Sequence, residues 1–391
     1  EEAKKIKEAI GWEYDDFFVP KDVKTNFDEI AINGEKLEMQ WNELMNEYTN
    51  KYPELATELE KVINEKFELN ETTLTPFTEE KMATRTASGK MLNRIYKDLP
   101  ILVGGSADLA SSNKTTIEGL PFMDEENHEG PNIYFGVREF AMASICNGLT
   151  LHGGLRGYCG TFLVFSDYMR SAIRHSALMG VPVTYIMTHD SIQVGQDGPT
   201  HQPVEHLVSL RAMPNLVVYR PADANETIVA WKLAAISKDR PFLIALGRHD
   251  VPVIENVNFE NAEKGGYVLS KDSDNPDLIL IASGSEVEMA LLAKEQLNQY
   301  KVNVVSLPSW ELFDAQSEEY KESVLPANVD NKLSIELGST IGWSKYVGAN
   351  GASIGLEKFG KSAPAGDLLK DYNFTVDHII EEAQLLIEKN K

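Results

Sequence analysis

Four clusters in this sequence set acid, base or cationic side chains beside glycine. They are Gly104-Gly105-Ser106-Ala107-Asp108, Gly136-Val137-Arg138-Glu139, Thr188-His189-Asp190-Ser191 leading into Gly195-Gln196-Asp197-Gly198-Pro199-Thr200-His201, and Gly247-Arg248-His249. Carboxylates and imidazoles move protons. Guanidinium groups grip phosphates and carboxylates through a planar fork. Glycine lets backbone turn tightly or approach a ligand closely. Each cluster alone is ordinary turn chemistry. Four of them, each following a short apolar run, read as one site.

Several familiar chemistries find no support. The sequence has no G-x-x-x-x-G-K-[ST] loop and no G-x-G-x-x-G, which argues against nucleotide binding of those kinds. Gly104 to Asp108 lacks the final glycine of a nucleophile elbow. Cys146 and Cys159 are too few for a disulfide framework, show no metal spacing, and read as reduced residues packed inside. His201 and His206 lie five apart, a poor spacing for two ligands on one helical face, so no metal-ligating set is assigned. His152, His175, His206 and His378 read as structural or surface residues. Phe162, Phe165 and Tyr168 are three apart, and that spacing by itself favours core packing over a cofactor box. Glu139, at a predicted helix start, could equally complement the helix dipole.

A scaffold must bring these positions to one edge. From about Thr78 to Val253 the sequence alternates helix and strand. Strands are predicted at Ile101–Val103, Ile133–Phe135, Val183–Met187, Leu216–Tyr219 and Phe242–Leu246. Helices are predicted at about 79–96 and 138–151, and another is opened by the Asp223/Glu226 capping box. Short, nearly continuous apolar strands between helices argue for a parallel sheet covered on both faces. A second unit starts near Gly265-Gly266, with strands at 278–282, 302–307 and 333–337 and a closing helix at about 376–388 capped by Thr375. The polar span 255–263 reads as the link between the two. Before them, Leu37, Trp41, Leu44, Met45 and Tyr48 recur at helical spacing, and charged helices run on to about Phe67. The expected class is α/β: two consecutive α/β domains with mostly parallel sheets covered by helices. The segments are a helical linker 1–75, a domain 76–257 and a domain 258–391.

The 391 residues carry 37 basic and 60 acidic side chains, a net charge of −23. That argues against nucleic-acid or anionic-membrane partners. If the ligands are phosphorylated, the few Arg and His residues must be concentrated at the site. No apolar run reaches the ~18 residues of a membrane span. The charged start Glu1-Glu2-Ala3-Lys4-Lys5 does not resemble a signal peptide, so a cytoplasmic protein is expected. The first residue is not Met, and the chain is expected to begin inside a longer parent.

The ordered set Gly104-Gly105-Ser106-Ala107-Asp108-Leu109, Gly136-Val137-Arg138-Glu139-Phe140, Gly160-Thr161-Phe162, Thr188-His189-Asp190-Ser191 and Gly195 to Pro203 closely resembles transketolase. Tyr219-Arg220-Pro221-Ala222-Asp223, Gly265-Gly266-Tyr267-Val268-Leu269 and Ser283-Gly284-Ser285-Glu286-Val287 continue the match, and Gly11-Trp12 extends it into the first segment. The resemblance implies thiamine-diphosphate-dependent transfer of a two-carbon ketol unit between sugar phosphates, the chemistry of the pentose phosphate pathway. Members have three α/β domains, binding respectively the diphosphate, the pyrimidine and, at the carboxyl end, no assigned group. This chain is expected to match only the last two plus the connector. On that expectation the diphosphate domain, with its Mg²⁺ or Ca²⁺ ligands, is missing and the chain alone is inactive.

Carried over residue by residue, Glu139 matches the glutamate that hydrogen-bonds the cofactor's aminopyrimidine and supports removal of the thiazolium C2 proton. Phe162, Phe165 and Tyr168 match the aromatic pocket around the pyrimidine, and Asp108 and Leu109 match positions beside the cofactor. His201, assigned a catalytic role with Glu139, and Asp197 match residues contacting donor hydroxyls. Arg85, Ser112, His189 and Arg248 match the acceptor's phosphate-binding set. Phe140 stands where some members have His, and His249 where Gln is common. A homodimer is expected, with Ala141, Ala143, Ser144 and Gly148 permitting close helix approach. Alternatives are the carboxyl-terminal subunit of a split transketolase, the related beta subunit of a 2-oxo acid dehydrogenase, and a non-catalytic paralogue. Deoxyxylulose-phosphate synthase shares the architecture, but the acceptor-phosphate set favours transketolase.

Overall fold

The computed structural model describes residues 1–64, 68–255 and 257–391. The expected helix end at Phe67 and one residue of the expected 255–263 link lie outside the described residues. The chain divides into two compact units, Glu1–Lys66 and Phe67–Lys391.

The first unit is helical, with helices Glu2–Ala9, Lys21–Lys51 and Pro53–Ile63. The apolar positions from Leu37 to Tyr48 fall within the 31-residue middle helix. Tyr52 ends that helix, and Pro53 opens the next at a first-turn position, where its missing N–H costs nothing.

The second unit holds thirteen short strands among its described residues. β1 (Lys81–Met82) and β8 (Val251–Pro252) form a small antiparallel pair. A six-stranded parallel sheet contains β2 (Leu102–Ser106), β3 (Asn132–Tyr134), β4 (Arg156–Phe162), β5 (Thr184–Thr188), β6 (Val217–Tyr219) and β7 (Phe242–Leu246), in the order β3-β2-β4-β5-β7-β6. A five-stranded sheet contains β9 (Tyr267–Ser270), β10 (Leu278–Ala282), β11 (Val302–Ser306), β12 (Lys332–Ile335) and β13 (Ala352–Ile354), in the order β13-β12-β10-β11-β9. Only β9, at its edge, runs antiparallel. Helices Thr84–Asp98 and Ala224–Ile236 cover one face of the first sheet, and Glu139–His152 and Ser166–Met179 belong to the core of the other. The α/β class with parallel sheets is therefore the architecture of the molecule.

Two differences from the sequence expectation bear on the site. Gly104 and Gly105 are not a turn after a strand; they lie inside β2. A Cβ on Gly104 would fall 1.8 Å from the Tyr158 carbonyl oxygen, and one on Gly105 2.2 Å from that of Ile133. Glycine is needed there for close approach of neighbouring strands. The second difference is β4, absent from the expected strands although it is wholly buried at the centre of the sheet. Its sequence, Arg-Gly-Tyr-Cys-Gly-Thr-Phe, has neither an apolar run nor strict alternation, so its strand character comes from the strands on either side.

Thr375 caps the closing helix Val376–Lys389 by accepting from the His378 N–H, as its type predicts. Asp223 does the same for Glu226. Glu226 also reaches the second sheet, accepting hydrogen bonds from Tyr267 Oη (2.9 Å) and Ser306 Oγ (2.6 Å). Burial, then the nearby Asp223 charge, push its carboxyl up to about 7 from an ordinary 4.5, and burial pushes Asp223 up to about 6 from 3.8. Between those ordinary and raised values the folded chain holds protons that the unfolded chain has released. Stability from these groups is thus present below about pH 4 and is lost as pH rises toward 7. Denaturant unfolding from pH 5 to 8 should show this fall, at up to ~1.4 kcal/mol per pH unit for each group. Glu226→Gln should flatten it whatever constant cost the amide adds. An unchanged slope in the variant would remove Glu226 as the source.

Candidate functional site

Because the six strands of the first sheet are parallel, their carboxyl ends share one edge, and ligands bind in the crevice beyond such an edge. The crevice lies between β2 and β4, where the chain reverses its direction of travel across the sheet.

Phe162 is the last residue of β4, Phe165 sits in the following single turn Leu163–Phe165, and Tyr168 lies in the first turn of Ser166–Met179. The three aromatics span a strand end, a turn and a helix start, so they are not a helical stripe. The Phe162 and Phe165 rings are 5.8 Å apart and nearly parallel at 8°, and Phe165 lies 6.0 Å from Tyr168. Phe162 is buried, whereas Tyr168 is 66% exposed, so the group opens from the core to the surface. His189 stacks on Phe162 at 3.7 Å, and His201 meets Phe165 edge-on at 5.3 Å.

His189 follows β5 and takes a left-handed backbone conformation (φ 61°) rarely adopted by non-glycine residues. The Thr188 hydroxyl donates to Asn113 Oδ1 at 2.6 Å, which leaves its oxygen to accept from His189 Nδ1–H at 2.7 Å. The Nε2 atom of His189 is then an acceptor. Burial, followed by the charges of Arg85, Arg248, His201 and His249, pushes His189 down to about 3, so the ring is neutral. Those same neighbours define a local concentration of positive charge.

Arg85, near the start of Thr84–Asp98, donates to the Ser112 carbonyl oxygen at 2.9 Å. Burial and the nearby Arg248 lower its pKa, with Asp250 opposing. Arg248 donates to the Val194 carbonyl oxygen at 3.0 Å and lies 3.9 Å from Asp197. His249, unassigned from the sequence, has its Nε2 against the Gln193 carbonyl oxygen. It thus ties the β7 end to the turn after β5, and its cation-adjacent place after Arg248 was the available signal.

Not every expected residue joins this cluster. Glu139 opens Glu139–His152 after β3, half-buried, and Asp108 follows β2, exposed, with φ 61°. Leu109 leads into the one-turn helix Ala110–Asn113. All three stand at the sheet edge, yet among the described residues no ring contact or hydrogen bond joins them to the aromatic cluster. Ala143 is fully buried, so it is unavailable for the helix approach expected of it, while Phe140, Ile145 and Gly148 are exposed.

Among the described residues, one group has the geometry to hold a cation: Asp167, Glu205 and His206. His206 already pairs with Asp167 at 3.2 Å, the ordinary behaviour of a buried histidine. Two of the larger cavities are lined by lysines. One of about 570 Å³ is lined by Lys90, Arg94 and Lys114, and one of about 500 Å³ by Lys321, Lys332 and Tyr346. Neither is lined by the aromatic, histidine and arginine side chains that gather at the strand ends.

Comparison with known proteins adds three family profiles. Residues 80–253 match the transketolase pyrimidine binding domain, 265–375 the transketolase-like TK C-terminal domain, and 1–68 the transketolase thiamine diphosphate binding domain. The last match overturns the expectation that the diphosphate-binding domain is missing: residues 1–68 carry its profile and are not a connector outside it. The inactivity and the missing metal site expected on that ground lose their basis. The transketolase of Bacillus subtilis is 49% identical over 400 residues, with all of this chain aligned to 60% of that relative's length. The chloroplastic transketolase of Craterostigma plantagineum is 49% identical, covering 99% of this chain and 76% of the relative. The crystal structure of a Pichia stipitis transketolase in complex with sedoheptulose-7-phosphate superimposes with a TM-score of 0.92 at 41% identity, covering 97% of this chain and 57% of that one.

Proposed function

The chain belongs to the transketolase family, and from that premise we propose that it transfers a two-carbon ketol unit from ketose phosphates to aldose phosphates. The observation that carries this reading is one sheet edge where stacked aromatic rings adjoin, through His189, a pair of guanidiniums. A chain of net charge −23 has gathered Arg85, Arg248, His189, His201 and His249 there.

Thiamine diphosphate, when bound, supplies the carbon nucleophile that takes up and releases the ketol unit. Phe162, Phe165 and Tyr168 would hold its pyrimidine ring by stacking, with Asp108 and Leu109 beside it and Mg²⁺ or Ca²⁺ as counter-cation of the diphosphate. The fit rests on the parallel rings of Phe162 and Phe165, with the exposed Tyr168 ring tilted beside them. Glu139 would hold the pyrimidine ring by a hydrogen bond and serve as its proton partner, and its place in the first turn of a helix favours a carboxylate. His201 and Asp197 orient the donor's hydroxyls. Arg85 and Arg248 carry the charge of the acceptor phosphate, with Ser112 alongside. Neutral His189, with Nε2 as acceptor, takes a proton-bearing oxygen at the same end.

The working unit is proposed to be a cytoplasmic homodimer of the pentose phosphate pathway, built from domains 76–257 and 258–391 behind the helical segment 1–75. Exposed Tyr134, Val137, Phe140 and Ile145, beside Glu139, favour burial against a second copy. Among the described residues no helix is long and apolar enough to cross a membrane.

The purified chain, given thiamine diphosphate, Mg²⁺, xylulose 5-phosphate and ribose 5-phosphate, should form sedoheptulose 7-phosphate in a cofactor-dependent way. No product at roughly micromolar protein, where a typical enzyme turnover of ~1–10³ s⁻¹ is easily seen, would overturn the reading.

A further inference from the structure

Beneath the acceptor end lies a group of charged side chains that the chemistry above does not use. Arg220, just past β6, is fully buried, and its Nε donates to Asp190 Oδ2 at 2.8 Å. Its terminal nitrogens reach Glu286 and the Ser283 carbonyl oxygen on the second sheet's side. Nearby, Glu336 accepts two hydrogen bonds of 2.8 Å from Arg211, one of 2.5 Å from Ser283 Oγ and one of 3.1 Å from Trp343 Nε1. Two guanidiniums and three carboxylates are thus enclosed, none more than 8% exposed. Burial works against the charged form of Glu336, but Arg211, Arg220 and Ser283 together hold its carboxyl below the usual range.

The fold gives this group little freedom. The Arg220 N–H donates to the Pro308 carbonyl oxygen at 2.8 Å, and its own carbonyl oxygen accepts from Gly284 N–H at 3.2 Å. A Cβ on Gly284, itself at φ 61°, would come 2.5 Å from Arg220 Cζ. On the other side, Asp190 follows His189 directly, and a Cβ on Gly247, before Arg248, would lie 3.7 Å from Asp190 Oδ1. Ser285 Oγ adds a second tie, donating to Gln193 Oε1 at 3.0 Å, and the Gln193 carbonyl oxygen meets His249.

We propose that Arg220 and Asp190 are positioning residues through which the carboxyl-terminal α/β domain holds His189 and Arg248 at the acceptor-phosphate end. This deepens the transketolase reading and rests on it. Apolar side chains of the same volume would stabilise such an interior as well or better. Only directional bonds fix the 188–194 segment, including a left-handed His189, in one arrangement. The carboxyl-terminal domain thereby helps to set the geometry of this end of the site.

The deciding variant is Asp190→Asn, which keeps shape and lowers the group's charge from three carboxylates against two guanidiniums to an even balance, so the fold is expected to persist. The KM for a phosphorylated acceptor should rise about 10-fold, within the ~10²-fold cost of a displacement of about 1 Å. Transfer to unphosphorylated glycolaldehyde should not change, and amide hydrogen exchange over residues 188–194 should quicken. Ser285→Ala, which removes the hydroxyl shared between Gln193 Oε1 (3.0 Å) and Glu286 Oε1 (2.7 Å) and so loosens both the tie to the 188–194 segment and the Arg220 group, should raise the same KM by about 2–5-fold, and it decides the question if Asp190→Asn does not fold. A merely structural role predicts that both acceptors respond alike, or that neither responds; either result overturns the proposal while leaving the family activity standing. Absence of ketol transfer in the unaltered chain would fell the functional reading and this inference together.

Discussion

Replacing Glu139 by Gln is expected to slow ketol transfer by about 10²–10⁴-fold, the usual contribution of a positioned general acid–base group, while the fold is retained. Glu139 is half-buried in the first turn of Glu139–His152, where an amide fits the same space. The amide cannot exchange the proton that the pyrimidine ring must gain and lose. The loss should appear equally in kcat and kcat/KM, since the interaction belongs to the reacting state. Hydrogen–deuterium exchange at the cofactor's C2 should slow in parallel. The competing account makes Glu139 a helix-dipole partner. It predicts a stability loss of about 0.3–1 kcal/mol and little change in rate. Wild-type exchange at C2 with a lowered unfolding midpoint would establish that account.

Arg248→Ala should weaken phosphorylated acceptors by about 10–150-fold, the equivalent of one charge-assisted contact of roughly 1.5–3 kcal/mol. The structure sharpens this expectation. Arg248 is anchored by the Val194 carbonyl oxygen through one nitrogen, and its side chain is 41% exposed, leaving the rest of the fork free for a ligand. The loss should fall mainly on KM, because the phosphate stays bound in the same way as reaction proceeds. Glycolaldehyde, which has no phosphate, should respond hardly at all. Lysine should recover only part of the loss, keeping the charge without the planar fork. Arg248 also lies 3.9 Å from Asp197, so Arg248→Ala frees the carboxylate proposed to orient the donor hydroxyls. A donor KM that shifts as strongly as the acceptor KM would mean that this pair matters more than phosphate recognition.

Much of the placement of the candidate residues was legible because they follow strands, and strands declare themselves locally. The ends of β5 and β7 were placed to within one residue by mostly apolar runs of five residues, and His189 to His201 and Gly247 to His249 follow those strands directly. The Asp223 and Thr375 caps were likewise visible, since a cap involves residues only three apart. Motif order was distinctive enough to give the family. The first 68 residues were misassigned because helical periodicity identifies a helix without identifying the domain it belongs to.

The sequence alone therefore determined the α/β class, the family and the residue types at the ends of β5 and β7, all properties of segments about ten residues long. Tertiary structure decided the rest. It made a buried central strand of Arg156–Phe162, whose residues carry no strand pattern, because neighbours on both sides supply its hydrogen bonds. It turned three evenly spaced aromatics into a surface spanning strand, turn and helix. It paired Arg220 with Asp190 and Glu286, 30 and 66 residues away, and Arg211 with Glu336, 125 residues away. Nothing local selects one carboxylate among 60 acidic side chains as the partner of a given arginine. That choice is made where two sheets bring their strand ends together and exclude water, since there an unpaired charge is too costly to keep.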